Sequence, residues 1–244
     1  MTLRNIKFFT ESTDRADVYL VSLAGDDRYF HRLEVHLDCL FRKDALDYVE
    51  LYGIWFFLVA LEFAGNNRTA RNLTVSVSRN AVKAHLLGKE SSKNLGPHAA
   101  ALRAMLYGIE SIGVDRNPAW RANVTDVGGL CSRWDGRPSP YQTVENERYG
   151  PIGITHHAID QYFKRTRSEG RQDQMLLKVQ KLARAATEEI ELPAEIRLKK
   201  ILTHGFEQKY VKILAAPRGW MLVTAPDHER GYLRVITVYQ INLV

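Results

Sequence analysis

The chain has 244 residues, enough for one large domain or two modest ones. Apolar residues make up 45% of it, which excludes a largely disordered chain, and the net charge of +6 is compatible with a polyanionic partner without requiring one. Its two cysteines, Cys39 and Cys131, lie far apart and predict neither a disulfide framework nor a zinc ribbon.

The sequence carries no signal for a membrane. The most apolar segment, residues 51–65, has 15 residues and contains Glu62, whereas a membrane-spanning helix needs about 20. The N-terminus lacks a basic segment followed by an apolar one, which is the pattern of a signal peptide. We therefore expect a soluble, cytoplasmic protein.

The first half reads as three strands, a helix, a strand, two helices and a strand. Alternation predicts strands over 4–10, 17–24, 28–39, 72–78 and 111–115, and helical spacing predicts helices over 45–64, 80–88 and 97–109. The helix over 45–64 is apolar nearly all round, which is typical of a buried helix.

Residues 126–150 are rich in Gly, Pro, Ser and charged residues and predict a linker between domains 1–125 and 151–244. The second half reads as two helices and then three strands. The helices are predicted over 155–167 and 173–190, and the strands over 209–216, 219–225 and 232–243.

Four segments of the first half, FFTEST, VELYGIWFFLVALEFA, SVSRNAV and VDRNPAWRAN, resemble the first strand, first helix, fourth strand and late segment of ribonuclease H. The resemblance covers residues 4–125 and implies an α/β fold with a mixed sheet and helices. It also implies a site for two divalent metals, held by four carboxylates. The matching positions here are Glu11, Glu50, Ser78 and Asn123.

Only two of those four positions are carboxylates, and Glu11 is one methylene longer than the family's aspartate. We therefore interpret the first domain as a degenerate ribonuclease H-like domain without metals or other cofactors. Such a domain could still bind a duplex or serve as a platform for a protein partner. A live metal nuclease would need further carboxylates beside Glu11 and Glu50, such as Asp14, Asp115 or Asp126.

Several basic residues are candidates for phosphate contacts. They are Arg68, Arg71, Lys83, Arg167, Lys199 and Lys200. The alternative interpretation is that they are ordinary solvated surface residues.

The segment GITHHAIDQYFKRTR, followed by a helix and three strands, is similar to small RelE/barnase-like ribonucleases. The resemblance covers residues 150–243 and implies a small α+β domain. It also implies metal-independent RNA cleavage, which needs a general base, a general acid and a cation for the phosphate. Residues of suitable types are His156, His157, Tyr162, Arg165, Arg218 and Tyr239.

Helical spacing places His157, Gln161 and Arg165 on one side of the helix. Each candidate also has a structural interpretation. Thr155 or His156 could cap the helix, and arginines near its end would interact favourably with the helix dipole. The two tyrosines could be core or sheet residues.

The sequence therefore predicts a nucleic-acid-interacting protein that acts on RNA as a metal-independent endoribonuclease of toxin or mobile-element type, from plasmid or phage biology. His157 would be the general acid or base, and Arg165 and Arg218 would hold phosphate. The alternative is a non-catalytic adaptor that binds protein or nucleic acid. A homodimer is also expected if the strand over 232–243 exposes its edge.

Overall fold

The computed structural model describes residues 4–25, 30–38, 44–62, 70, 72–89, 95–123, 129–166, 174–191 and 210–240, with only the backbone at 122 and 123. The chain divides into two compact units, Met1–Ser139 and Pro140–Val244. Each unit contains a mixed six-stranded sheet and helices, so the fold class is mixed α/β. None of the described helices is both long and apolar enough to cross a membrane.

The first unit begins with strands β1 (Arg4–Ser12), β2 (Val18–Gly25) and β3 (Phe30–Leu37), and continues with helix α1 (Ala45–Trp55), β4 (Leu73–Val77), α2 (Asn80–Leu86), α3 (Leu95–Met105), β5 (Ser111–Val114) and β6 (Leu130–Trp134). The element order predicted for 4–115 is thereby confirmed.

The sheet of this unit has the strand order β5-β4-β1-β2-β3-β6. β1, β2 and β3 form an antiparallel meander. β4 and β5 run parallel to β1, while β6 runs parallel to β3 at the opposite edge. Consequently the carboxyl ends of β1, β4 and β5 meet at the same end of the sheet, which is where open α/β sheets bind their ligands.

Helix α1 is buried as predicted, and a π-helix over Phe56–Ala60 continues it directly. Gly53 allows α1 to approach β2 closely, because a Cβ at this position would lie 2.6 Å from Cγ1 of Val21. Val21 is paired with Thr10 of β1. This close approach fixes the height of α1 over the centre of the sheet and so the position of Glu50, which lies one turn earlier on the same helix.

Part of the predicted linker is strand. β6 lies inside residues 126–150, where it pairs with β3. The side chain of Trp134 stacks on Tyr52 with ring centroids 4.6 Å apart, and Ser132 shares a 2.6 Å hydrogen bond with the same tyrosine. Only alternate residues of this short edge strand face the core, so its apolar alternation is weak. The Gly- and Pro-rich residues around it make that alternation harder to recognise.

The second unit contains β7 (Thr143–Asn146), β8 (Gly150–Ile154), α4 (His156–Thr166), α5 (Met175–Arg184), β9 (Glu188–Ile190), β10 (Lys212–Ala216), β11 (Trp220–Asp227) and β12 (Tyr232–Gln240). Its sheet has the order β7-β8-β12-β11-β10-β9. The predicted helices and the three closing strands are present. β7, like β6, lies within the predicted linker.

Helix α5 is shorter than predicted, since residues 188–190 leave it to pair with β10. Asn146 accounts for the stop. Its buried amide donates hydrogen bonds to the carbonyl oxygens of Ala183, Arg184 and Ala186 at 2.8–3.1 Å. These oxygens belong to the helix end and would otherwise lack partners.

The C-terminal strand is not an edge strand. β12 lies between β8 and β11, and it is paired with β8 over Leu233–Val235. Both sides of β12 are paired within the chain over Leu233–Val235, so these residues offer no free edge to a second copy of the chain. Residues 241–244 lie outside the described part of the chain.

We expect Gly53→Ala to lower the free energy of unfolding by up to about 2 kcal/mol, because the new methyl overpacks against Val21 at a cost of about 1–3 kcal/mol. This cost outweighs the gain of about 1 kcal/mol that alanine brings to a helix. Adding Val21→Ala should recover part of the loss specific to Gly53→Ala, since it removes the clashing methyl groups. Urea unfolding measures these differences.

Gly96→Ala is the matched control, because a Cβ at this helical position meets nothing within 4 Å. Its stability should equal or slightly exceed that of the wild type. Equal stability of Gly53→Ala and wild type would contradict the close packing of α1 on β2.

Candidate functional site

A pocket of about 490 Å³ opens at the carboxyl ends of the parallel strands in the first unit. Each strand contributes side chains to it from its last residues or from the loop that follows. The lining residues are Phe9, Thr10, Asp47, Ser78, Arg79, Asn80, Ala81 and Arg116. The volume lies within the range of small-ligand sites.

Glu50 is fully buried beside this pocket and bonded to Ser78. One carboxyl oxygen of Glu50 accepts the Ser78 N–H at 2.5 Å, and the other accepts the Ser78 hydroxyl at 3.0 Å. Burial raises the pKa of Glu50 to about 7, although the hydrogen bonds from Ser78 and the charge of Arg79 act against the rise. Near neutral pH this carboxyl is therefore only partly ionised.

The second carboxylate at this site, Asp47, is already paired with a cation. Asp47 is 4% exposed and makes an ion pair with the guanidinium of Arg79, which follows Ser78 in the chain. Since a buried carboxylate without a partner would be costly, this pair fixes Arg79 at the pocket wall.

Glu11 does not lie at this pocket. Thr10 is paired with Val21 and faces α1, and the next residue of a strand points to the opposite face. Glu11 forms an ion pair there with Arg121, whose guanidinium carbon lies 4.2 Å from the ring centroid of Phe9. The structure thus brings Glu50 together with Ser78 and separates both from Glu11.

The other carboxylates proposed for a live metal site are also absent from the pocket lining. Asp115 accepts a 2.8 Å hydrogen bond from Lys7, which lowers the pKa of Asp115. Asp14 is exposed in the turn after β1. Asp126 lies outside the described residues, and of Asn123 only the backbone is described.

The residues at this pocket do not fit the two divalent metals that a ribonuclease H-like fold implies. A magnesium pair needs several ionised oxygen ligands. Thr10 and Ser78 offer hydroxyl groups, Asp47 is neutralised by Arg79, and both carboxyl oxygens of Glu50 are occupied by Ser78. Arg116 adds a further positive charge to the lining. The set suits an anion better than a cation.

In the second unit, α4 carries most of the predicted catalytic residues. The hydroxyl of Thr155 accepts the N–H of Ala158 at 3.2 Å and donates to the carbonyl oxygen of Val235 at 2.7 Å. Thr155 is therefore the N-cap, and it joins the start of α4 to β12. His157 and Arg165 are exposed on one side of this helix, and His156 is half-buried.

Tyr162 and Arg218 lie near each other, whereas Tyr239 lies apart. Tyr162 packs on Trp220 with ring centroids 4.7 Å apart; burial raises the pKa of Tyr162, and the positive charge of Arg218 opposes that rise. Tyr239 is paired with Met221, the neighbour of Trp220, and so belongs to the other face of the sheet.

Most of the basic residues predicted to contact phosphate cannot be placed. Lys83 lies half-buried on α2 and does not line the pocket. The others lie outside the described residues. They are Arg68, Arg71, Arg167, Lys199 and Lys200.

No family model and no curated protein matches the chain. Among solved structures, ribonuclease H1 from the halophilic archaeon Halobacterium salinarum NRC-1 is 13% identical, with 46% of this chain and 83% of that chain covered and a TM-score of 0.31. A likeness at this level is too low to assign a fold or an activity.

We expect Glu50→Gln to change how stability depends on pH. Between the ordinary glutamate pKa of 4.5 and about 7, folded Glu50 keeps a proton that the unfolded chain has lost. Wild-type stability therefore falls as pH rises through this window, because the buried carboxyl must ionise. Glutamine can keep both contacts with Ser78 and does not titrate.

The difference in unfolding free energy between Glu50→Gln and wild type should consequently grow in favour of the variant from pH 5 to pH 8, by up to about 3 kcal/mol. Urea unfolding at a series of pH values measures it. The exposed Glu110→Gln is the control and should show no such trend. A difference that is independent of pH would contradict the burial of an ionisable Glu50.

Proposed function

We propose that the first unit binds nucleic acid through a phosphate group held at its pocket, without divalent metals. The observation that carries this proposal is the charge of the pocket lining. Arg79 and Arg116 bring two positive charges, and Asp47 brings one negative charge. The lining is therefore positive overall, in contrast to the four carboxylates that the ribonuclease H family uses to hold metals.

The chemistry of the lining supports a phosphate ligand. Arg116 is exposed and has no ion-pair partner among the described residues, so its guanidinium is available to a ligand. A guanidinium group matches two phosphate oxygens at once. Thr10 and Asn80 add neutral polar groups beside it, whereas the donors of Ser78 are engaged by Glu50. The hydroxyl of Thr10 is buried and has no hydrogen-bond partner in the described structure.

Binding of labelled single-stranded RNA, duplex DNA and an RNA–DNA hybrid, measured by fluorescence anisotropy in EDTA, tests this proposal. Arg116→Glu should weaken binding about tenfold or more, because it removes a charged hydrogen-bond donor and adds repulsion. The slope of log K against log salt should fall by about 1.

Lys89→Glu reverses the charge of another exposed residue that does not line the pocket, and it should change the affinity far less. Unchanged binding by Arg116→Glu would contradict the assignment of the pocket. Binding that is lost in EDTA and restored by Mg²⁺ would contradict the metal-free mode.

A second candidate function is metal-independent RNA cleavage by the second unit. It is supported by the exposure of His157 and Arg165 on one side of α4 and by the proximity of Arg218 to Tyr162. In this proposal His157 exchanges protons with the reacting oxygens, and the two arginines hold phosphate. The RelE/barnase-like assignment and the toxin or mobile-element origin remain predictions from the sequence.

If this second function is present, the protein will degrade RNA in EDTA and His157→Ala will lower the rate about 10²- to 10⁴-fold, as expected for loss of a general acid or base. His228→Ala, which removes an exposed histidine from a turn of the same unit, should leave the rate unchanged. RNA binding without any cleavage would instead favour the adaptor. A requirement for Mg²⁺ together with loss of activity in Glu50→Gln would favour a live metal nuclease.

A further inference from the structure

Strands β3 and β6, at one side of the first sheet, bring a carboxylate, an imidazole and a thiol together, away from the pocket described above. Glu34 and His36 lie on β3 and Cys131 lies on β6. One ligand atom from each side chain lies within 4.8 Å of the other two. We propose that these three side chains bind a zinc ion.

The backbone explains why the three side chains meet. Residues two apart on a strand share a face, so Glu34 and His36 point the same way. In the parallel pairing of β3 with β6, Cys131 lies opposite Glu34. All three residues are exposed or half-buried, so an ion can reach them from solvent.

The donor set selects the metal. A thiolate, an imidazole and a carboxylate are ligands that zinc combines, whereas magnesium and calcium prefer oxygen alone. Thiolate and carboxylate together carry two negative charges, which match the charge of the ion. Water would take the fourth position of a tetrahedral site.

The ligand atoms lie close together but would have to move to reach the spacing of a zinc site. Ligand atoms around a tetrahedral zinc lie roughly 3.3–3.7 Å apart, given Zn–S near 2.3 Å and Zn–N and Zn–O near 2.0–2.2 Å. Here His36 Nε2 and Glu34 Oε1 are 2.5 Å apart and would have to separate to admit the ion, and the Cys131 sulfur lies within 4.8 Å of both.

Arg15 holds Glu34 through its other oxygen, Oε2. A ligating carboxylate is commonly oriented by such an outer hydrogen bond, which leaves Oε1 for the metal. The competing interpretation is a surface ion network of Arg15, Glu34 and His36 in which Cys131 takes no part.

A zinc ion at this position would join β6 to β3. β6 lies at the edge of the sheet and pairs with β3. The ion would add a link between two segments that are about 100 residues apart in the chain, so it should raise the stability of this edge.

Titration of the reduced, tag-free full chain with Co²⁺ tests the proposal, because a cobalt–thiolate bond gives a charge-transfer absorption band. We expect one equivalent of Co²⁺ to produce the band and Zn²⁺ to displace it. Cys131→Ser should abolish the band, and His36→Gln should weaken metal binding at least tenfold. Cys39→Ser is the matched control for the other cysteine, and it should keep the band.

Zn²⁺ should also raise the melting temperature of the wild type but not that of Cys131→Ser. The proposal is overturned if the wild type shows no thiolate band, if the band survives Cys131→Ser, or if it is lost in Cys39→Ser. It is also overturned if metal binding requires two copies of the chain, as gel filtration with Co²⁺ would show. Circular dichroism establishes that each variant is folded.

Discussion

The proposed binding mode of the first unit depends on the contact between buried Glu50 and Ser78. This contact joins α1 to the loop after β4, at the point where the parallel strands end. Both oxygens of the carboxyl group are occupied, and burial keeps it partly protonated near neutral pH. The carboxyl group is thereby engaged inside the protein, where it links α1 to the loop after β4.

The remaining charges at this end of the sheet follow from that arrangement. Asp47, one turn before Glu50, pairs with Arg79 rather than with a metal. Arg116 then gives the pocket lining its positive balance. The lining therefore suits the proposed phosphate anion better than a divalent cation. In the two proposals, the first unit binds nucleic acid and the second unit cleaves RNA.

The sequence predicts the order of helices and strands well, because the spacing of apolar residues along most of these segments differs between helix and strand. It also predicts that Glu50 and Ser78 belong to one site. The prediction that Glu11 joins this site is wrong, because neighbouring residues of a strand point to opposite faces of the sheet. Thr10 faces α1, and Glu11 therefore faces away from it. Arg116 and the proposed zinc ligands, which include Cys131, come together only when strands distant in sequence are placed side by side. Strand β6 is missed because an edge strand buries few residues.

The most direct test of the metal-free site is a crystal of the full chain soaked in Mn²⁺, with the ions located by anomalous scattering. Our account predicts no manganese between Glu50, Asp47 and Thr10, whether or not an ion binds elsewhere on the surface. A pair of manganese ions bridged by Glu50 and Asp47, with Arg79 displaced from its partner, would contradict it.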